Sequence, residues 1–140
     1  MVTLPGPPRS HCPINFGLEI FGDRWTLLVL RDLLLLGKRS YKEFMASEEQ
    51  ISTNILAERL ERLLAAGLVT AERVKGDNRQ IRYEPTSAGR ALLPVLVEMA
   101  YWGALHDPDT AAPGAFVKSY RKDRDGLLKA VSRGHDPTKT

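Results

Sequence analysis

The residues with most chemistry to offer fall in three short clusters. Ser52, Thr53 and Asn54 stand together ahead of an apolar run, with Arg59 further along it. At the opening of a helix such groups suit the edges and phosphates of a duplex. An Asn amide pairs with adenine, an Arg guanidinium with guanine or a phosphate, and a Ser or Thr hydroxyl with a phosphate at the helix N-terminus. Lys75, Asn78 and Arg79 surround a polar turn, with Arg82 just beyond; they make a cationic finger able to enter an adjacent minor groove. Lys38, Arg39, Ser40 and Lys42 form the third cluster, where contacts to a nucleic-acid backbone would fix register without reading sequence.

Other chemistries are less well supplied. Cys12 is the one cysteine, so a bridge within the chain is closed to it and no resolving thiol stands beside it. A Cys-Pro pair directly ahead of a helix places the sulfur near free helix amides, a setting that favours thiolate. Cys12 is therefore the redox-sensing candidate, with an inert half-buried thiol as the alternative. His11, His106 and His135 have no paired ligand spacing, so no metal is expected. A glycine-rich phosphate loop after a strand, a nucleophile elbow and an HExxH helix are all missing, which points away from an enzyme and from any cofactor. Trp25 and Trp102 read as core or interface residues.

The elements that must position these groups are well punctuated. Residues 14–21 read as a short apolar helix ended by Gly22, and Asp23 stands as N-cap for a second helix over 25–36 that is apolar on nearly every side. Ser40 and Glu43 have the spacing of a capping box for a short helix over 41–46. Ser52 can cap a longer helix reaching Ala66, with Gly67 as its left-handed terminator. That helix buries Ile55, Leu56, Leu60, Leu63 and Leu64 and presents Thr53, Asn54, Glu58, Arg59 and Arg62 on its other face; Arg62 can pair with Glu58 across one turn. Residues 68–74 and 79–84 read as the strands of one hairpin around the turn 75–78. Thr86 can cap a helix over 88–106 that Pro94 should bend. Its apolar residues exceed what one stripe needs, so part of that surface calls for a second chain.

Length and charge agree with this plan. With 140 residues, 43% hydrophobic and 26% charged, the chain is the size of one ordinary domain. Its net charge of +3 permits a nucleic-acid partner without requiring one. The proline-bearing N-terminus lacks the apolar core of a signal peptide, and no apolar run approaches the roughly 20 residues of a membrane span, so a cytoplasmic location is expected. The division is a flexible arm over 1–13, a winged helix-turn-helix and dimerisation domain over 14–106, and over 107–140 a linker and basic, helix-compatible tail with a frayed end. The fold class is mainly α with a small β-hairpin: a winged helix-turn-helix domain with terminal dimerisation helices.

A series of motifs along this plan resembles the HxlR-type bacterial transcriptional regulators. It comprises Cys12-Pro13, Gly22-Asp23-Arg24-Trp25-Thr26 continuing to Arg31, Ile51-Ser52 through Leu56, Arg59-Leu60, Gly67-Leu68-Val69, Tyr83, Thr86, Gly89-Arg90, Leu93-Pro94-Val95-Leu96 and Trp102-Gly103. The resemblance implies a homodimeric winged-helix repressor or activator on double-stranded DNA, joined through its terminal helices and without catalysis. It also implies that Cys12 could respond to oxidants or electrophiles. Where family members often carry basic residues after the Ser of Ile-Ser, this chain has Thr53 and Asn54, a departure that bears on base preference. The tail beyond Gly103 is longer than the shared pattern explains, and an added dimer arm is one role for it. The expected function is a sequence-specific regulator acting as a homodimer on a pseudo-palindromic operator, open to redox or effector control by a small molecule of unknown identity. The alternative is a winged-helix module for protein or small-molecule binding without specific DNA recognition.

Overall fold

A computed structural model of the chain describes residues 1–76 and 79–134. α1 (Pro13–Phe21) starts on Pro13, which sits where a missing N–H costs nothing, and ends at Gly22. α2 (Arg24–Leu34) is capped by the Asp23 carboxylate on the Thr26 amide, and buries Val29, Leu30 and Leu33. α3 (Tyr41–Met45) opens on the capping box, with Ser40 accepting from the Glu43 amide while the Glu43 carboxylate accepts from the Ser40 amide. α4 (Thr53–Ala66) opens on Ser52 and closes on Gly67 at φ 82°, where a side chain would be strained.

The hairpin follows. β1 (Val69–Arg73) and β2 (Ile81–Pro85) run antiparallel, in register from Val69 opposite Pro85 to Arg73 opposite Ile81. The expected turn residues Asp77 and Asn78 lie outside the described residues. A third edge, not expected, joins the pair: the Tyr83 amide donates to the Arg39 carbonyl at 2.8 Å, and Ser40 makes an isolated bridge to Arg82. The wing is thereby tied to the start of α3.

The helix expected over 88–106 is two helices, α5 (Ser87–Arg90) and α6 (Leu93–His106). Thr86 caps the first by accepting from the Gly89 amide. Pro94 falls in the first turn of the second. A proline inside one continuous helix would displace the carbonyl four residues earlier and lose a hydrogen bond, whereas in a first turn it loses neither.

α7 (Gly114–Lys122) and α8 (Arg124–Ser132) complete the order. Rather than projecting, this part of the tail folds back on its own α6, where Phe116 and Val131 close a second core with Leu93 and Val97. Glu98 holds it from α6, accepting from the Tyr120 hydroxyl at 2.7 Å and from Arg124 at 2.5 Å. The segment expected to be frayed, 135–140, is outside the described residues. The N-terminal arm, expected to be flexible, is held at two points: the Thr3 amide donates to the Ala66 carbonyl, with Val2 and Leu4 on the main core, and the Arg9 amide donates to Glu19.

The main core gathers Leu30 and Leu33 of α2, Phe44 of α3, Leu56, Leu60 and Leu63 of α4, and Leu68, Val69 and Tyr83 of the hairpin. Gly89 seals its lower edge. A Cβ there would lie 2.1 Å from the Leu68 carbonyl oxygen, whereas one at Gly103 would meet nothing within 4 Å. Gly89→Ala is therefore expected to lower stability by at least the roughly 1–3 kcal/mol typical of overpacking, whereas Gly103→Ala, unobstructed inside α6, should raise it by roughly 0.5–1 kcal/mol. Denaturant melts of the two variants check this.

Candidate nucleic-acid interface

The N-terminus of α4 is held from behind and open in front. Ile51, just ahead of it, is buried. The Ser52 hydroxyl accepts the Ile55 amide at 3.2 Å. From α3, the Tyr41 hydroxyl donates to the Thr53 carbonyl at 2.5 Å. The turn into the helix includes Gln50 at φ 58°, the one non-glycine residue with positive φ among those described. Against this support, the side chains of Ser52, Thr53 and Asn54 all face solvent, as does Lys42 on α3. An α-helix about 10–12 Å across matches a major groove about 12 Å wide, and residues at its N-terminus reach deepest. The free amides there add a partial positive charge for phosphate.

Several other candidate cations are committed elsewhere. Arg59, expected to read guanine or phosphate, is turned toward the α1–α2 junction: its Nε donates to Asp23 Oδ2 at 2.8 Å and its Nη1 to Glu58. Its side chain is 20% exposed. Arg62 pairs with Glu58 at 2.8 Å, as its spacing predicts, and reaches Asp23 at 3.5 Å. Arg39, expected at the backbone, spends its guanidinium on the Leu33 and Lys38 carbonyls and on Glu84. Lys38 donates to Ser47 at 2.7 Å and lies 3.6 Å from Asp32. Ser40 is occupied by the capping box. The reason is common to all of them: each cation stands within reach of a carboxylate or carbonyl that another element brings up, and a charge-assisted hydrogen bond in a half-dry site outweighs hydration.

Of the wing residues, Lys75 and Arg79 are exposed near the hairpin tip, and Asn78 is outside the described residues. The site thus assembled is Ser52, Thr53, Asn54 and Lys42 on the helical unit, with Lys75 and Arg79 on the wing.

Two residues that hold this site were missed as such. Asp23 was legible as a cap, yet its carboxylate also accepts from the Thr26 hydroxyl at 2.6 Å and gathers both α4 arginines. Burial pushes that carboxyl up, but its hydrogen bonds from Thr26 and Arg59 prevail and hold it below the ordinary aspartate range. Asp32, 3% exposed, accepts from Arg31 and Ser47 and ties α2 to the turn before α4. Arg31 carries the tie onward by a two-pronged pair with Glu49 at 2.6 and 2.9 Å, which holds Glu49 below the usual carboxylate range. No local pattern marks these pairings.

The remaining candidates are placed as follows. Cys12 is exposed and is the N-cap residue of α1. His106 stacks on Trp102 and bonds its carbonyl at 2.8 Å. Among the described residues no three His, Cys, Asp or Glu side chains converge as metal ligands, and no helix is long and apolar enough to cross a membrane.

A short capped helix, a tight turn, a second helix with an open N-terminus and a flanking hairpin define a winged helix-turn-helix DNA-binding protein. The comparisons agree. The model of the HxlR-like helix-turn-helix family matches residues 20–110. The HTH-type transcriptional regulator YdeP of Bacillus subtilis, itself uncharacterised, is 32% identical over 125 residues, covering 89% of this chain and 85% of its own. YybR of the same organism is 29% identical over 123 residues, covering 88% and 90%. Among solved structures, PA1607 superposes with a TM-score of 0.65 at 34% identity over 73% of this chain and 71% of that one. The redox regulator HypR in its oxidised form superposes at 0.60 with 29% identity over 68% and 97%. The chain belongs to the HxlR family of DNA-binding transcriptional regulators, which are not enzymes.

The Asp23 cluster yields a prediction with a definite sign. Because its folded-state pKa is depressed, the stability it contributes is present above the ordinary aspartate value and is lost as pH falls through the folded value. Asp23→Asn keeps an N-cap acceptor but loses the charge facing Arg59 and the start of α2, so it should be less stable than the parent at pH 7 by about 1 kcal/mol, and the difference should shrink below roughly pH 4. Urea melts of both proteins from pH 7 to pH 3 measure it; a gap that is constant with pH would contradict the assignment.

Proposed function

We propose that this chain is a cytoplasmic regulator acting as a homodimer on a pseudo-palindromic operator. The carrying observation is the open N-terminus of α4, where Ser52, Thr53 and Asn54 face outward from a helix whose other side is locked into the core. Asn54 reads a base edge, Ser52 and Thr53 take phosphate or base contacts, Lys42 contacts the backbone, and Lys75 and Arg79 on the wing grip the adjacent groove. Arg59 acts in this reading as a strut that sets the helix rather than as a reader. In a selection of bound duplexes from a random pool, a two-fold site with half-sites about 10 bp apart is the expected product. Asn54→Ala should relax preference at one position per half-site and cost about 1–3 kcal/mol. Lys75→Ala should weaken all sequences alike and lower the salt slope by about one unit for each chain of the dimer. A pool that stays random after selection would reject the reading.

Dimerisation rests on apolar surface that one chain leaves open. Ile14 and Leu18 lie four residues apart on α1, and Val95, Met99 and Trp102 form a stripe along α6; Ile14 is 74% and Trp102 66% exposed. Covering such groups is worth roughly 25 cal/mol per Å² before association entropy is charged against it. The terminal helices of two chains pair these faces about a two-fold axis and set the spacing of the two α4 helices. Light scattering should give the mass of a dimer at micromolar concentration, and Trp102→Glu together with Met99→Glu should shift it to a monomer with much weaker operator binding. Likeness to the redox regulator HypR and the exposure of Cys12 support a thiol response as the mode of control.

A further inference from the structure

The α7–α8 pair stands beyond the family match, which ends at residue 110, and nothing in the operator reading uses it. Its charge is unlike that of the rest of the chain. Residues 114–134 hold six Lys and Arg against two Asp, while the remainder of the sequence holds 14 basic and 15 acidic residues. The whole positive balance of the protein therefore resides in these two helices.

The arrangement of that charge is ordered. Phe116, Tyr120, Leu127 and Val131 face α6, and Tyr120 stacks on Tyr101 with ring centroids 3.7 Å apart. At 100° per residue, Lys118 and Lys122 of α7, Lys129 of α8 and the Arg133 that caps α8 fall on the sides turned away from that core. All four are exposed, and among the described residues no carboxylate pairs with any of them. The pair is also fixed in place: Glu98 receives both Tyr120 and Arg124, and Arg121 donates to the Tyr101 hydroxyl at 2.9 Å. Its base is beside the helix-turn-helix unit. Ala111 and Ala112 of the linker line one side of a cleft of about 550 Å³ whose other side includes Lys38, Ser47 and Glu49 around the turn before α4.

We infer that α7 and α8 form a second DNA contact, a rigid cationic bracket that grips the phosphates of the duplex flanking the operator without reading its sequence. The inference rests on the DNA-binding reading above and extends its footprint. A nine-residue helix is about 13 Å long, the span of roughly four phosphates along one strand. Because the bracket is already folded and anchored, gripping a duplex orders only lysine and arginine side chains, and release of condensed counterions drives the contact.

The test compares the full-length chain with a variant carrying Lys118→Gln, Lys122→Gln and Lys129→Gln, none of which touches α4 or the wing. Both are titrated over a range of salt against a duplex of about 20 bp holding the selected site, the same site within about 40 bp, and a 40-bp duplex of unrelated sequence. The parent should bind the 40-bp site more tightly than the 20-bp one and with a steeper salt slope, and the variant should lose that advantage and roughly 2–3 units of slope for each chain of the dimer, with equal melting temperature and unchanged binding to the 20-bp site. The unrelated duplex separates the two readings. Loss of slope on it with no preference for any site would sustain the bracket and reject the operator. Equal slopes for parent and variant on both long duplexes would overturn the bracket, and so would variant-sensitive binding confined to anionic lipid vesicles.

Discussion

Everything in this protein depends on burying one side of α4. Leu56, Leu60 and Leu63 disappear into the surface made by α2, α3 and the hairpin, and that burial fixes the helix in rotation, so the remaining side of its first turn must face outward. A polar side chain could face solvent from many places. Only where the opposite face is locked does it hold a constant position relative to a groove, which is what discrimination between bases requires. The caps refine the placement: Ser52 from within the helix, Tyr41 from α3, and the Asp32, Ser47 and Lys38 group behind the turn.

The charges divide between two tasks. Arg59 and Arg62 point back to Asp23, the residue that also starts α2 and follows α1. One carboxylate thus joins α4, the helix at the centre of the core and the helix with an exposed apolar face. In the proposed homodimer such a junction would give a route by which a change at the subunit contact, or at Cys12 ahead of α1, reaches the spacing of the two α4 helices; the coupling would act through the angle between them and leave the contacting side chains unaltered. Lys42 on α3, Lys75 on the wing and Lys118, Lys122 and Lys129 on the tail helices are turned to solvent instead. Net charge alone conceals this division, because the acidic residues serve mainly as partners within the fold.

Much of the architecture was legible in order along the chain. The caps at Asp23, Ser40, Ser52 and Thr86, the terminator Gly67 and the alternation of Ile81 and Tyr83 are local signals, and each stands where its spacing places it. The split at Pro94 was half legible: a proline announces a disturbance but not whether the chain bends through it or starts again from it. The fold of the tail was less legible, since the segment's basic character hid the apolar side it presents to α6. Of the candidate site, the first turn of α4 could be named from the sequence because a cap and the polar residues after it are neighbours. The role of Arg59 could not, because its partner lies 36 residues away.

The sequence by itself determined which segments are helices and strands, where they start and stop, which side of each is apolar, and the family to which the series of motifs belongs. These follow from interactions within a few residues, whose geometry the backbone sets in advance. The tertiary structure alone decided which charges are spent and which are free. An ion pair between Asp23 and Arg59, or Arg39 and Glu84, exists only once packing has brought two helices, or a loop and a strand, within about 3 Å, the range in which a hydrogen bond between charges outweighs the water each must give up.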